Sequence, residues 1–252
     1  MYKFSIISVL KDCEKDIEIS FKSLNKQTHQ NIEHVTVVGN SSDKTILEAQ
    51  KYCKYGTVFK QNSVGLYEAI NQGILCSNGD IVGLLHGGDY YPKNNILEKV
   101  HEIFINTKAD VVYGDIYFYN IEKDNQIKIT RKWESDKFYP GSYLKGWAPP
   151  HTSLFIKRSI LDKVGLYSNK YKISGDYDFL LKLMKFDNIN FEYLNEDILA
   201  MKNYGMSTKK YYFFKKIYED YVALRNNNIK IFPTILLKRI SKLKQFQANF
   251  KR

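Results

Sequence analysis

Cysteine is scarce in this chain. The three residues Cys13, Cys53 and Cys76 are odd in number and scattered, which excludes a disulfide framework and a cysteine-ligated metal and points to a reducing compartment. No apolar run approaches the ~18 residues that a membrane span needs. Met1-Tyr2-Lys3 leads straight into an apolar strand rather than a signal-peptide layout, so the expected location is the cytoplasm. Internal repeats and low-complexity linkers are missing as well. Acidic residues are nearly missing beyond residue 200, where Glu219 and Asp220 stand beside 13 lysines and arginines. The first 200 residues hold 25 basic and 25 acidic side chains, so the net charge of +11 lies entirely in the last fifth. A neutral body with a basic end argues against a nucleic-acid groove and for an attached element that binds an anionic surface.

What is present is a folded globular chain. It has 252 residues, of which 44% are hydrophobic and 15% aromatic, enough for one substantial core. Phe4–Val9 reads as a strand, and Ile17, Phe21 and Leu24 have helical spacing. Ile32–Val38 is a second strand, after which Asn40-Ser41-Ser42-Asp43 supplies turn and N-cap chemistry for a helix through Ile46, Leu47 and Ala49. Thr57–Phe59 is a third strand. A helix over Gly65–Gly73 is expected to close on its glycine. Strand and helix alternate as in a parallel, right-handed βαβ sheet, which makes residues 1–106 a doubly wound, nucleotide-binding half.

Residues 107–205 differ in character. Val111–Gly114 is a strand, and the aromatic and β-branched residues from Asp115 to Trp133 straddle a hairpin turn at Glu122–Gln126. A loop over Pro140–Pro150 leads to a strand at Thr152–Ile156, and Arg158–Val164 is a short helix ended by Gly165. Asp176–Phe186 is an amphipathic helix, followed by strands at Phe191–Leu194 and Ile198–Lys202. Residues 206–252 form a basic amphipathic tail of two helices, Lys209–Asn226 and Pro233–Phe250. In the second, Ile235, Leu236, Ile240, Leu243, Phe246 and Phe250 approximate one face, with Lys238, Arg239, Lys242, Lys244, Lys251 and Arg252 mostly elsewhere. That pattern suits a helix lying in an anionic membrane interface, ahead of the alternative of a helix packed on the domain with a solvated basic face.

The stretch Asn78–Pro92, NGDIVGLLHGGDYYP, orders the rest. A five-residue apolar run, Ile81–Leu85, has the look of a central parallel strand buried on both faces. The loop after it ends on Asp89, and ligands of open α/β sheets sit beyond the carboxyl ends of the strands.

Six segments, IEHVTVVGNSSDKT (32–45), GLYEAINQGI (65–74), NGDIVGLLHGGDYY (78–91), VVYGDI (111–116), GWAPPHTSLFIKRSILDKVGLY (146–167) and ISGDYDFLLKL (173–183), together resemble family 2 glycosyltransferases, above all the bacterial group that builds surface polysaccharides. The resemblance spans roughly residues 3–205. It implies a GT-A fold, a Rossmann-like α/β sheet flanked by helices, and an inverting hexosyl or N-acetylhexosaminyl transfer from a nucleotide-diphosphate sugar, most simply a UDP-sugar. The implied acceptor is a saccharide, lipid-linked at the inner face of the cell membrane, which the tail would touch.

Residue by residue, the resemblance assigns Asp89 to a divalent cation (Mg²⁺ or Mn²⁺) and the donor diphosphate, where a hard cation neutralises the leaving group. Asp176 matches the family's general base, which inversion by direct displacement requires on the face opposite the leaving group. Val9, Val38, Asn40, Ser41, Asp43, Gly65, Tyr67, Asn71 and Gly88 fall on the donor side. Asp115, Trp147, His151 and Asp178 fall on the acceptor side, with His151 a further metal candidate. Asp43 also reads as a helix cap, and Asp178 as a structural partner. Val38, Ser63 and Gly88 stand where the family commonly has acidic residues. These departures leave a second reading open, a binding or assembly subunit on the same fold.

Overall fold

A computed structural model describes residues 1–124, 126–203 and 213–244. The first half follows the expected alternation: β1 (Phe4–Leu10), α1 (Ile17–Asn25), β2 (Ile32–Val38), α2 (Thr45–Tyr52), β3 (Gly56–Lys60), α3 (Leu66–Leu75), β4 (Ile81–Leu84) and α4 (Ile96–Asn106). β3, β2, β1 and β4 lie side by side and parallel. Ile6, Ile7, Ile81 and Leu85 are fully buried, as befits strands covered by helices on both faces. The expected stop at Gly73 does not occur, and α3 runs on to Leu75. Gly73 is instead a packing residue, since a Cβ there would sit 2.3 Å from Ile7 Cγ2.

The second half is organised by one long strand. β5 (Val111–Ile121) turns back into β6 (Ile127–Trp133), after which come β7 (Phe155–Lys157), α5 (Arg158–Val164), α6 (Gly175–Lys185) and β8 (Phe191–Lys202). β7 inserts antiparallel between β4 and the start of β5, while β6 pairs with the far end of β5. β8 runs parallel to β5 for nearly its whole length. The expected strand at Thr152–Ile156 begins as a 3-10 turn over His151–Ser153 and becomes β7 only at Phe155. The two expected closing strands are one, with a register shift opposite Gly114 and Asp115. Gly114 permits that irregularity, because a Cβ there would meet the Leu194 and Glu196 carbonyls at 2.9 and 3.0 Å.

Beyond residue 205 the described helices are α7 (Phe213–Asn226) and α8 (Ile231–Lys244); residues 209–212 and 245–252 of the expected pair lie outside the described residues. Ala223, Leu224 and Ile229 belong to the same apolar cluster as Tyr177, Leu180 and Leu183 of α6. The boundary drawn at 205 therefore cuts through a continuous core. The expected helical face of α8 also divides: Ile235 packs on that core, whereas Leu236 and Ile240 are exposed. Lys238, read as part of a solvated basic surface, is buried against Asp220 at 3.0 Å and over the Tyr177 ring at 3.0 Å from its centroid. Burial of both charges is tolerable because they pair with each other. Gly146 (φ +74°) makes the docking possible, since a Cβ there would lie 2.2 Å from the Lys238 backbone nitrogen. Among the described residues no helix is long and apolar enough to cross a membrane.

Candidate active site

Asp176 sits on the first turn of α6, where a carboxylate is favoured by the helix dipole. Its Oδ1 accepts the Tyr177 N–H at 2.8 Å, and its Oδ2 lies 3.4 Å from His151 Nδ1. The Tyr67 hydroxyl is 3.3 Å from Oδ1 and donates its proton to the Ile173 carbonyl at 2.6 Å. Gly175 presses on the Tyr67 ring, 2.6 Å from where its Cβ would be. Glu219 of α7 anchors the segment leading into α6, accepting the N–H groups of Lys172, Ile173 and Ser174 at 3.2, 2.8 and 3.0 Å. The base candidate is thus held from α3, α7 and the 3-10 turn at once.

Asp176 opens into a cleft of about 1270 Å³ that His151, Trp147 and Asp115 also line. Trp147 is half-buried against Phe138 and Tyr113 and gives its indole N–H to the Ser135 carbonyl at 2.6 Å. Its orientation is therefore fixed without a ligand. Asp115 is buried, accepting the Ser135 N–H and the Tyr193 hydroxyl, both at 2.8 Å; burial pushes its carboxyl up. Asp178 is not in the cleft. It turns into the core, where Asn227 Nδ2 donates to it at 2.9 Å and Lys182 pairs with it at 2.7 Å, so it fastens α7 rather than meeting an acceptor. A residue two positions from Asp176 on a helix faces another way.

The cleft contains cations that reading by motif passed over. Arg131, on β6, stacks its guanidinium 3.7 Å from the Phe118 ring centroid, and burial lowers it to about 10, so it stays charged at neutral pH. Lys238 lines the same wall; burial lowers it to about 8 against the opposing pull of Asp220. The strand alternation Ile127, Ile129, Arg131, Trp133 was the available signal for Arg131.

At the carboxyl ends of β1, β2 and β4, three loops converge. Asp12 Oδ1 accepts the Ser42 N–H at 2.8 Å, Ser41 Oγ accepts the Asp12 N–H at 3.1 Å, and Asp43 accepts the Glu14 and Thr45 N–H groups at 3.1 and 3.0 Å. Ser41 and Asp43 thus knit the loops together, and Asn40 is exposed beside them. Val38 is buried with Leu10, Ile17 and Phe21; it packs and offers no polar group of its own. Tyr67 and Asn71 also face inward. Asn71 exchanges two hydrogen bonds with the Tyr167 backbone, at 2.7 and 3.0 Å, and clamps α3 to the chain after α5. Neither is a free donor contact, because the α3 face carrying them is the one that packs. Gly65 (φ +137°) starts α3 in a conformation only glycine adopts readily.

The turn holding Asp89 has two unmet needs. Asp89 is buried with Oδ2 lacking a partner, and burial pushes its carboxyl up to about 8 against the pull of the Lys202 backbone N–H. The Lys202 ammonium pairs with Asp16 instead. His86, to which no role was assigned, has a buried Nε2 without a partner. The Val9 N–H donates to His86 Nδ1 at 3.3 Å, so the proton of the neutral ring is on Nε2, and burial, with His151 nearby, lowers the ring to about 3. One turn therefore presents an unsatisfied donor and an unsatisfied carboxylate oxygen, which an anionic oxygen and a cation would satisfy. Gly88 (φ +88°) makes the turn, receiving the Tyr119 hydroxyl on its carbonyl at 2.5 Å and giving its N–H to Ser20 Oγ at 2.8 Å. His151 spends its Nδ1 on Asp176, which puts it with the base rather than with Asp89.

A family model described as Glycosyl transferase family 2 matches residues 5–165. An uncharacterized glycosyltransferase of Mycobacterium tuberculosis is 25% identical over 182 residues, covering 71% of this chain and 67% of that one. A PGL/p-HBAD biosynthesis glycosyltransferase of Mycobacterium bovis is 22% identical over 208 residues, 80% and 77% of the two chains. Among solved structures, S. aureus TarS with UDP-GlcNAc superposes with TM-score 0.70 at 18% identity, over 98% of this chain and 73% of that one. The mannosyltransferase PcManGT of Pyrobaculum calidifontis, with GDP-Man and Mn²⁺, gives 0.60 at 14% identity over 98% and 76%. These neighbours have the same GT-A architecture.

Proposed function

The chain belongs to glycosyl transferase family 2 and is a glycosyltransferase, and on that premise we propose that it inverts a sugar from a UDP-sugar onto a saccharide acceptor, with Asp176 as general base. The observation that carries this reading is the seating of Asp176 at the mouth of the cleft, held by His151, Tyr67 and its own helix. An acceptor hydroxyl entering from the cleft would give its proton to Asp176 as its oxygen attacks the anomeric carbon, while the nucleotide diphosphate leaves on the opposite face. The protonated carboxyl can then donate to the Tyr67 oxygen, whose own proton remains on Ile173.

The diphosphate falls to the turn after β4. Asp89 would hold a divalent cation together with the donor phosphates, which is how such ions are usually bound by a single carboxylate. When bound, that cation would neutralise the charge of the leaving diphosphate. His86 Nε2–H supplies a neutral donor to a phosphate or sugar oxygen. Ser41, Asn40 and Gly65 border the nucleotide. Arg131 and Trp147 meet the acceptor, one by charge-assisted hydrogen bonds to hydroxyls and the other by its half-exposed ring.

The acceptor is a lipid-linked saccharide used in surface-polysaccharide assembly, reached at the inner face of the membrane. Support comes from Leu236 and Ile240, exposed one helical turn apart on α8, which form an apolar face able to enter a lipid interface. Co-sedimentation with anionic vesicles tests that part, and loss of binding in Leu236→Asp with Ile240→Asp is expected. The donor reading is tested by a thermal-shift panel of nucleotide sugars with Mg²⁺ or Mn²⁺. A UDP-sugar at 100 times its Kd should add about 2.7 kcal/mol to stability; no shift with any nucleotide sugar would overturn the assignment.

A further inference from the structure

At the amino end of β1, remote from the transfer chemistry, three ligating side chains from separate segments converge. His29 comes from the loop between α1 and β2, and Glu98 and His101 from one face of α4, three residues apart. Each offers a ligand atom within 4.8 Å of the other two. β1 separates this cluster from Asp89 by its own length, ~23 Å at about 3.3 Å per residue.

The hydrogen-bond pattern around His29 leaves a lone pair pointed at a carboxylate. Its ring is fully buried, with Nε2 3.2 Å from the Tyr2 carbonyl. A carbonyl can only accept, so Nε2 carries the proton and Nδ1 of the neutral ring is unprotonated. That Nδ1 is buried without a hydrogen-bond partner and lies 3.6 Å from Glu98 Oε2. A buried ring acceptor facing a half-exposed carboxylate calls for a cation between them. The His101 ring is 4.8 Å from that of His29, centroid to centroid, and its Nε2 receives the Tyr2 N–H at only 3.3 Å.

We propose that His29, Glu98 and His101 bind one zinc-class metal ion that fastens the loop between α1 and β2 to α4. Tetrahedral zinc with bonds of about 2.0–2.1 Å places its ligand atoms ~3.3 Å apart, near the Nδ1 to Oε2 separation found here. In His29 the ring nitrogen opposite the ligating one donates to the Tyr2 carbonyl, the kind of partner that metal-bound histidines normally have. Glu98 is 40% exposed, so the fourth position is open to water. Two nitrogens and one carboxylate favour Zn²⁺ or Co²⁺ over Mg²⁺ and Ca²⁺, which take oxygen ligands.

The test uses the full untagged chain after dialysis against chelator, titrated with Zn²⁺ by calorimetry and with Co²⁺ by visible absorption. One Zn²⁺ per chain is expected, with cobalt d–d bands that Zn²⁺ displaces. Glu98→Gln and His101→Ala, both on the accessible side of α4, should each weaken Zn²⁺ at least about tenfold while a UDP-sugar still shifts the melting temperature. Asp89→Asn should leave this Zn²⁺ affinity unchanged. Absence of Zn²⁺ binding to the wild type, wild-type affinity in both α4 variants, or loss of binding only in Asp89→Asn would each overturn the proposal.

Discussion

The Tyr67 hydroxyl lies 3.3 Å from the Asp176 carboxylate, joining two side chains 109 positions apart in the sequence. Tyr67 belongs to α3 of the first half and Asp176 to α6 of the second, so the contact fixes the proposed base against the first half. Tyr67→Phe removes it and leaves the Ile173 carbonyl unpaired, at a stability cost of about 1–3 kcal/mol. The expected kinetic result is kcat reduced about tenfold with donor KM unchanged. Steady-state kinetics with varied donor measures both, and a change confined to KM would assign Tyr67 to donor binding instead.

Replacing the base itself has a larger consequence. Asp176→Asn preserves the shape of the α6 turn and removes the proton acceptor, so kcat should fall by about 10²–10⁴. The melting-temperature shift produced by donor should persist, because the carboxylate is not a donor contact. Transfer at the wild-type rate would remove Asp176 from the mechanism.

Lys238→Met leaves Asp220 buried, with Arg239 at 3.3 Å as its remaining cationic partner. Stranding a buried charge costs about 3–5 kcal/mol, and Arg239 should hold the loss near the lower end. Gly146→Ala should destabilise in the same sense by displacing α8. Chemical denaturation of the two variants and of their combination checks the shared origin. Additive losses would mean that the two positions do not act through one docking contact.

His34 sets an acid limit on folding. It is fully buried, with Ser8 Oγ 2.8 Å from Nε2, and burial lowers the ring to about 3 from 6.5. Above pH 6.5 the ring is neutral in both folded and unfolded chains and stability is undiminished. As pH falls from 6.5 through about 3 the unfolded chain takes up a proton that the folded one refuses, and stability drops by about 1.4 kcal/mol per pH unit. His34→Gln should start less stable at neutral pH but lose one proton's worth of that slope. Urea titrations between pH 7 and 4 read it directly, and an unchanged slope would reassign the acid sensitivity to other groups such as His86.

Much of this architecture was legible in the sequence because its signals are local. The apolar runs at β1, β2 and β4 are buried on both faces, and each is readable without knowing its neighbours. Gly165 ends α5 where expected. Asp178 was legible as a structural partner from its place two residues after Asp176, but its partners Asn227 and Lys182 were not. Nor was Lys238: a lysine on a basic helix looks solvated until Asp220 comes to meet it. α4 escaped notice although its buried residues Ile96, Leu97, Val100 and Phe104 have helical spacing. His86 was visible as a residue, but its meaning rests on which ring nitrogen Val9 occupies. Motif resemblance could name Asp89 and Asp176 as candidates, whereas the contact of Tyr67 with Asp176 appears only when distant segments pack.

The way β6 and β7 share β5 bears on how such an enzyme diversifies. The two strands occupy successive stretches of one edge of β5, β7 at Val111–Val112 and β6 from Ile116 onward. The chain between them leaves the sheet after Trp133 and returns at Phe155. That excursion carries Trp147 and His151 and walls the cleft, yet it contributes no rung to the ladder. Its outer residues can vary in length and composition while both splice points stay pinned to the same strand and Ser135, Gly146 and His151 keep their contacts. The scaffold thus separates a ladder that must be inherited intact from a cleft wall that can vary around it.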